Sequence, residues 1–310
     1  MLPGYLKLFE SGAYSDRIDS IREQYSDCKL CPHKCGVNRS AGEIGKCRSG
    51  AAPVVASSNL HFGEEPPISG LNGSGTIFLS GCSGKCIFCQ NYPISQIGTG
   101  NKITEAQLAA MMLALQDRGC NNINFVTPTH FMPSIVSALF IAASQGLKLP
   151  IVYNTSGYER EEIIKLLDGI VDIYLPDSKY SDNEIAKQIS GFSGYVENNR
   201  ASLIEMFKQV GNLQIKDDIA FKGLIVRHLI LPGNLSGTGE VLKFLSEHIS
   251  PDIYISLMDQ YFPAHKSLNH KILSKNISPN EYNEAIDMFY EYGLHNGWIQ
   301  DHAQIEGAEL

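Results

Sequence analysis

From Thr76 onward the sequence alternates short apolar runs of β type with stretches of helical periodicity, and no other feature restricts its fold as much. The runs are TIFLS (76–80), NINFVT (122–127), LPIVYNT (149–155), IVDIYLPD (170–177), KGLIVRHLILP (222–232) and DIYISLM (252–258). TEAQLAAMMLALQDRG lies between the first two, with Thr104 and Gln107 spaced as a capping box and Gly119 as a stop signal. Further helical patterns are PSIVSALFIAASQG, EREEIIKLLDG, NNRASLIEMFKQVG, GTGEVLKFLSEHI and SPNEYNEAIDMFYEYGLHNG. Six such units require parallel strands joined by helical crossovers. They fall short of a closed eight-stranded barrel. An α/β fold follows, either an open partial barrel or a doubly wound sheet. Upstream, residues 51–75 are rich in Gly, Pro and Ser and read as an irregular connector. Residues 1–50 form a Cys-rich segment opened by a helix around Tyr14–Tyr25. The expected division is a Cys-rich segment with connector at 1–70 and a core with a C-terminal helical extension at 71–310.

With 310 residues the chain can bury a sizeable core, and its net charge of −8 argues against a nucleic-acid or anionic-membrane binder, which needs a basic surface. No apolar run approaches the roughly 20 residues of a membrane span. The opening MLPGYLKLFESGAYSD has no basic leader, long apolar core or small-residue cleavage site, so a cytoplasmic location is expected. Eight cysteines fall at 28, 31, 35, 47, 82, 86, 89 and 120. Their clustering reads as metal ligation rather than as disulfides.

Cys82, Cys86 and Cys89 lie in GTIFLSGCSGKCIFCQN (75–91), directly after the first apolar run. Active groups of parallel α/β proteins gather at the carboxyl ends of strands. Three thiolates are one short of a closed zinc site, whose fourth ligand would be His or Asp. On a cubane iron–sulfur cluster they leave one iron open to something that is not protein.

This C-x3-C-x2-C, with Phe88 just before the last cysteine and Gln90-Asn91 just after it, resembles the signature of the radical S-adenosylmethionine (SAM) superfamily. The resemblance implies a (β/α)6 partial TIM barrel and a 4Fe–4S cluster on Cys82, Cys86 and Cys89. Its open iron is chelated by SAM, which is reductively cleaved to a 5′-deoxyadenosyl radical that abstracts hydrogen. It extends to about residue 270 and is similar to the pyruvate formate-lyase activating enzyme group, in a branch with the N-terminal pattern CKLCPHKCGVNR…GEIGKC. NTSG (154–157) and LPDSK (175–179) are similar to that group's Asp-Thr-Asn-Gly and Asp-x-Lys. By that match Asn154, Thr155 and Asp177 are candidates for SAM contact or a nearby monovalent cation. Lys179 and Arg227 are candidates for SAM's carboxylate, and Phe88 and Asn91 flank the cofactor. VTPTH (126–130) stands where the group has Gly-Gly-Glu, so Thr127, Thr129 or His130 would hold the methionine amino group. The resemblance also implies a reductant such as flavodoxin or ferredoxin, and a protein or peptide substrate, with a small molecule left open.

Cys28, Cys31, Cys35 and Cys47 form C-x2-C-x3-C-x11-C, able to close a zinc site or ligate an auxiliary cluster, with His33 able to replace one thiol. Cys120 reads as a free thiol at the edge of the core. Gln260, Tyr261 and His265, after the sixth run, fall where a substrate mouth belongs. Tyr153 and Tyr174 read as packing residues, and Asp172 as a cap or a solvent-facing residue. The alternative from another class is a non-catalytic iron–sulfur or zinc protein acting as electron carrier or binding module. A nucleic-acid binder with a zinc module is a third, disfavoured by the acidity.

Overall fold

The computed structural model describes residues 2–299. Its ten strands are β1 (Val54–His61), β2 (Ser74–Leu79), β3 (Asn101–Lys102), β4 (Ile123–Val126), β5 (Ile151–Thr155), β6 (Ile173–Pro176), β7 (Gln214–Lys216), β8 (Ile219–Leu229), β9 (Tyr254–Met258) and β10 (Asn296–Ile299). Its helices are α1 (Gly4–Ser11), α2 (Tyr14–Arg22), α3 (Pro66–Ser69), α4 (Glu105–Asp117), α5 (Met132–Ser144), α6 (Glu161–Lys165), α7 (Asn183–Ser190), α8 (Tyr195–Val210), α9 (Thr238–Phe244) and α10 (Pro279–Glu291).

All six expected strands are present, as β2, β4, β5, β6, β8 and β9, and each pairs in parallel with the next. The sheet order is β10-β9-β8-β6-β5-β4-β2-β1-β3. Because the parallel order never reverses, there is no switch point, which excludes the doubly wound alternative. The result is the α/β partial barrel, extended at one edge by parallel β10 and at the other by antiparallel β1. The connector reading of 51–75 is corrected here. Residues 54–61 form an eight-residue strand by pairing antiparallel with β2, without a clean alternation of buried and exposed positions, so the main sheet continues across the expected boundary near residue 70.

One face of the strands packs on helices, and the other lines the barrel. Pleating puts Val152, Ile173, Leu175 and Ile225 on the inner face, where Ile68 of α3 and Ala220 complete an apolar plug. On the opposite side α5 is buried nearly all round, because α1 and α2 cover the side that the sheet does not. Tyr14 ties this layer by donating from its hydroxyl to the Val136 carbonyl at 3.2 Å. The capping box on α4 forms as its spacing predicts. Among the described residues no helix is long and apolar enough to cross a membrane.

Asp172 just precedes β6, accepting the Gly4 amide at 2.8 Å and the Ile151 amide at 2.9 Å. It therefore acts as a cap. Burial pushes its carboxyl up to about 6, against the pull of those two amides. A folded pKa above the unfolded value of about 3.9 means that its stabilising effect is complete below pH ~4 and is lost as pH rises through about 6. The effect is on the order of 2–3 kcal/mol. Urea unfolding of wild type and Asp172→Asn across that interval is expected to show the difference shrinking as pH rises; a constant difference would contradict the assignment.

Candidate active site

Gly81 and the three-cysteine loop follow the carboxyl end of β2. Gly81 has φ +86°, and a Cβ there would lie 2.8 Å from the Cys47 carbonyl oxygen, so the turn into the loop admits no side chain. The loop is held by backbone bonds from Lys85 to Ser190 and from Ile87 to Ile189, both at the end of α7. Each sulfur has a polar neighbour. The Gly84 amide donates to Cys82 Sγ at 3.2 Å, the Ser190 hydroxyl donates to Cys86 Sγ at 2.9 Å, and Cys89 Sγ meets Ser95 Oγ at 3.2 Å. Burial raises the Cys82 thiol far above its ordinary range and Cys86 to about 11. Repulsion between the sulfurs adds to burial, while Lys179 draws both back.

Lys179 and Asp177 follow β6. They form an ion pair of 2.6 Å with 15% and 18% of their side chains exposed, so water screens it only partly. Burial works against the ammonium, but Asp177 and the Cys86 sulfur outweigh it and hold Lys179 above the usual lysine range. The β5 and β6 ends are stitched by α8. Asn199 Nδ2 donates to the carbonyls of Gly157 at 3.0 Å and Asp177 at 2.9 Å, and the Lys179 amide donates to Tyr195 Oη at 2.9 Å. Gly157 has φ +69°, and a Cβ there would meet the Asp177 carbonyl at 2.0 Å, so this close approach requires glycine.

Register places Asn154, Asp177 and Arg227 on the inner face with the apolar plug. The structure thus brings together Cys82, Cys86, Cys89, Asp177 and Lys179, with Asn154 on the same barrel face. Phe88 is buried edge-on to Tyr261 at 5.8 Å, while Asn91 is exposed. The segment after β9 straps this loop: Gln90 Nε2 donates to the Gln260 carbonyl at 3.0 Å, and the rings of Tyr92 and His265 stack at 4.5 Å.

Other expected residues have partners within the protein itself. Arg227 is taken by Glu64 and by Glu65, whose Oε1 lies 2.7 Å from Nε. It therefore meets the barrel's own carboxylates instead of standing free for another. Burial would raise Glu65, but Arg227 holds its carboxyl below the usual range. Thr155 and Thr129 donate to one oxygen of Glu159, Thr129 at 2.5 Å. Thr155 belongs to the face opposite Asn154, as strand alternation demands. His130 Nε2 lies 2.8 Å from the Ser80 carbonyl, and burial lowers the ring to about 4, keeping it neutral. These three side chains support the strand ends from behind. Thr127 takes φ +58°, strained for a β-branched residue, with its amide on the Asn154 carbonyl at 2.8 Å.

Sequence reasoning missed Glu64, Glu65 and Glu159. Buried Glu159, pushed up to about 7 by burial against the pull of both threonine hydroxyls, carries no local motif. The pair in HFGEEPPISG sits in what reads as connector; only its two carboxylates beside an apolar Pro-Pro-Ile could have signalled burial. A surface cavity of about 910 Å³, lined in part by Arg22, Tyr25, Lys102 and Glu105, includes none of the expected site residues.

The chain matches the sequence model of the Radical SAM superfamily over residues 76–245, more than half its length, and belongs to that superfamily. An uncharacterized protein of Methanocaldococcus jannaschii is 30% identical over 288 residues, covering 90% of this chain and 78% of that protein. Among solved structures, TYW1 with a lysine-pyruvate adduct bound shares 13% identity with a TM-score of 0.43, over 70% of this chain and 73% of that one. Native anSMEcpe with bound AdoMet shares 15% with a TM-score of 0.46, over 70% and 61%.

Membership implies SAM-dependent radical chemistry at a 4Fe–4S cluster, fed by an external reductant. The donor set fits such a group, with three soft thiols, polar donors to the sulfurs and a buried cation beside them. Among the described residues no group of three His, Cys, Asp or Glu side chains is arranged to hold a single metal ion.

Replacing Arg227 with Met strands two buried carboxylates and is expected to cost about 3–5 kcal/mol in urea unfolding. Adding Glu64→Gln and Glu65→Gln should restore most of that loss. A loss below about 1 kcal/mol would place the pair in surface-like solvent screening and contradict its burial.

Proposed function

We propose that the chain is a radical SAM enzyme that binds a 4Fe–4S cluster through Cys82, Cys86 and Cys89 and cleaves SAM reductively to abstract hydrogen from a substrate. The observation that carries this reading is the convergence, at the mouth of a parallel barrel, of the 2.6 Å Lys179–Asp177 ion pair with three cysteine sulfurs that each have a polar neighbour. When bound, the cluster supplies the electron that breaks a carbon–sulfur bond of the sulfonium, giving methionine and the 5′-deoxyadenosyl radical. The protein's part is to bind, orient and exclude water.

Lys179 has three donors and gives one to Asp177, which leaves a cation for the SAM carboxylate once Arg227 is committed elsewhere. Asp177 and Asn154 offer acceptors for the ammonium group on the inner face. Thr127, at the β4 end, contributes backbone polarity where the family has Gly-Gly-Glu. The strap of Gln260, Tyr261 and His265 over the loop is the substrate side. The substrate reading is a protein or peptide group, as for activating enzymes, and the electron donor a flavodoxin or ferredoxin. The Cys-rich unit is the segment that carries Cys28, Cys31, Cys35 and Cys47, and the sheet from β1 onward, with its helices, forms the catalytic core.

Anaerobically reconstituted protein with a strong reductant is expected to form 5′-deoxyadenosine from SAM without added substrate, and Cys82→Ala/Cys86→Ala/Cys89→Ala to form none. Equal product from both would refute the site. Lys179→Met should weaken SAM binding by calorimetry about 10- to 100-fold, the range of a lost charge-assisted hydrogen bond. Unchanged affinity would remove Lys179 from the site. A carrier or binding module would bind no SAM.

A further inference from the structure

Five polar atoms buried around one region have no hydrogen-bond partner in the protein: Arg39 Nε, Ser83 Oγ, His130 Nδ1, Glu159 Oε2 and Arg160 Nε. Buried polar groups are normally paired, so a concentration of unpaired ones marks a place where a further group belongs. All five residues border the second cysteine group. Arg39 Nη1 donates to the His130 carbonyl at 2.6 Å and Nη2 to Cys47 Sγ at 2.9 Å. Arg160 Nη1 donates to the Lys29 carbonyl at 2.6 Å, the Ser83 carbonyl meets His33 Nε2 at 2.8 Å, and Glu159 acts electrostatically on Cys31.

The sulfurs are prepared as well. Peptide N–H groups of Leu30, His33, Val37 and Lys46 are directed at Cys28, Cys31 and Cys35, and the Cys28 and Cys35 thiols hydrogen-bond each other. A Cβ on Gly45 would lie 3.2 Å from Cys35 Sγ and 3.5 Å from Cys47 Sγ, so the missing side chain leaves those two sulfurs room. Donors directed at sulfur, with a buried guanidinium among four thiols, form the surroundings that stabilise thiolates on a metal. A surface staple would need neither the buried Arg39 nor bonds into the catalytic loop.

We infer that Cys28, Cys31, Cys35 and Cys47 hold a second thiolate-bound metal centre whose surroundings are continuous with the three-cysteine loop, so that the loaded segment braces that loop through His33 and Arg39. His33 fastens the Ser83 carbonyl inside the loop. Arg39 fastens His130, whose ring holds the Ser80 carbonyl at the loop's start. The bracing role rests on the radical SAM reading; the metal centre does not.

Zinc, iron and sulfide are to be measured per chain in anaerobically purified full-length protein. The Cys82→Ala/Cys86→Ala/Cys89→Ala variant is expected to retain a complement that Cys28→Ala/Cys31→Ala loses. That complement is about four irons with four sulfides, as for a cubane, since no side-chain group among the described residues is arranged for a single ion. Metal-free protein after removal of the first cluster, or full retention in Cys28→Ala/Cys31→Ala, overturns the centre. If the double variant does not fold, cysteine alkylation of native wild type decides. These four thiols should be protected until a chelator is added, and equal labelling with and without chelator overturns the proposal. His33→Ala, with both metal complements intact, is expected to weaken SAM binding by up to about tenfold, the worth of one hydrogen bond. Unchanged affinity overturns the bracing role while leaving the centre standing.

Discussion

Three sulfurs crowded at the end of β2 repel one another as thiolates, and burial compounds the repulsion. Positive charge must offset it. The protein supplies Lys179, the Gly84 amide and the Ser190 hydroxyl toward that offset. The close seams of the molecule serve that arrangement. Gly81 turns tightly against the Cys47 carbonyl, α7 holds the loop from one side, and the segment after β9 holds it from another.

The partial barrel assigns its two faces to different tasks. Inner residues Asn154, Asp177 and Arg227 share one side of the pleat, where Glu64 and Glu65 neutralise Arg227 above the apolar plug around Ile68. The opposite side gathers Thr129, Thr155 and Glu159, and it meets the N-terminal segment rather than the barrel interior. A buried carboxyl held by two hydroxyls beside Cys31 makes that segment part of the strand ends it covers.

Much of the architecture was legible because period and spacing are local properties. The six parallel strands, the α4 capping box and the three-cysteine loop need no long-range information. β1 was not legible, since its residues carry the Gly, Pro and Ser of a connector on either side and become a strand only by pairing with β2. At the site, Lys179 and Asp177 could be found from LPDSK. Arg227 could not be assigned from sequence, because its partners lie 162 and 163 positions away in a segment with no catalytic pattern. Thr155 and Asn154 are adjacent in sequence but face opposite sides, a distinction that depends on the register of β5.

Electron paramagnetic resonance of the reduced, reconstituted protein probes the open iron itself. A reduced cubane signal is expected whose line shape changes when SAM is added, because SAM would occupy the position that the three cysteines leave vacant. A cluster signal indifferent to saturating SAM would mean that a protein side chain fills that position, and it would contradict the radical SAM reading of this site.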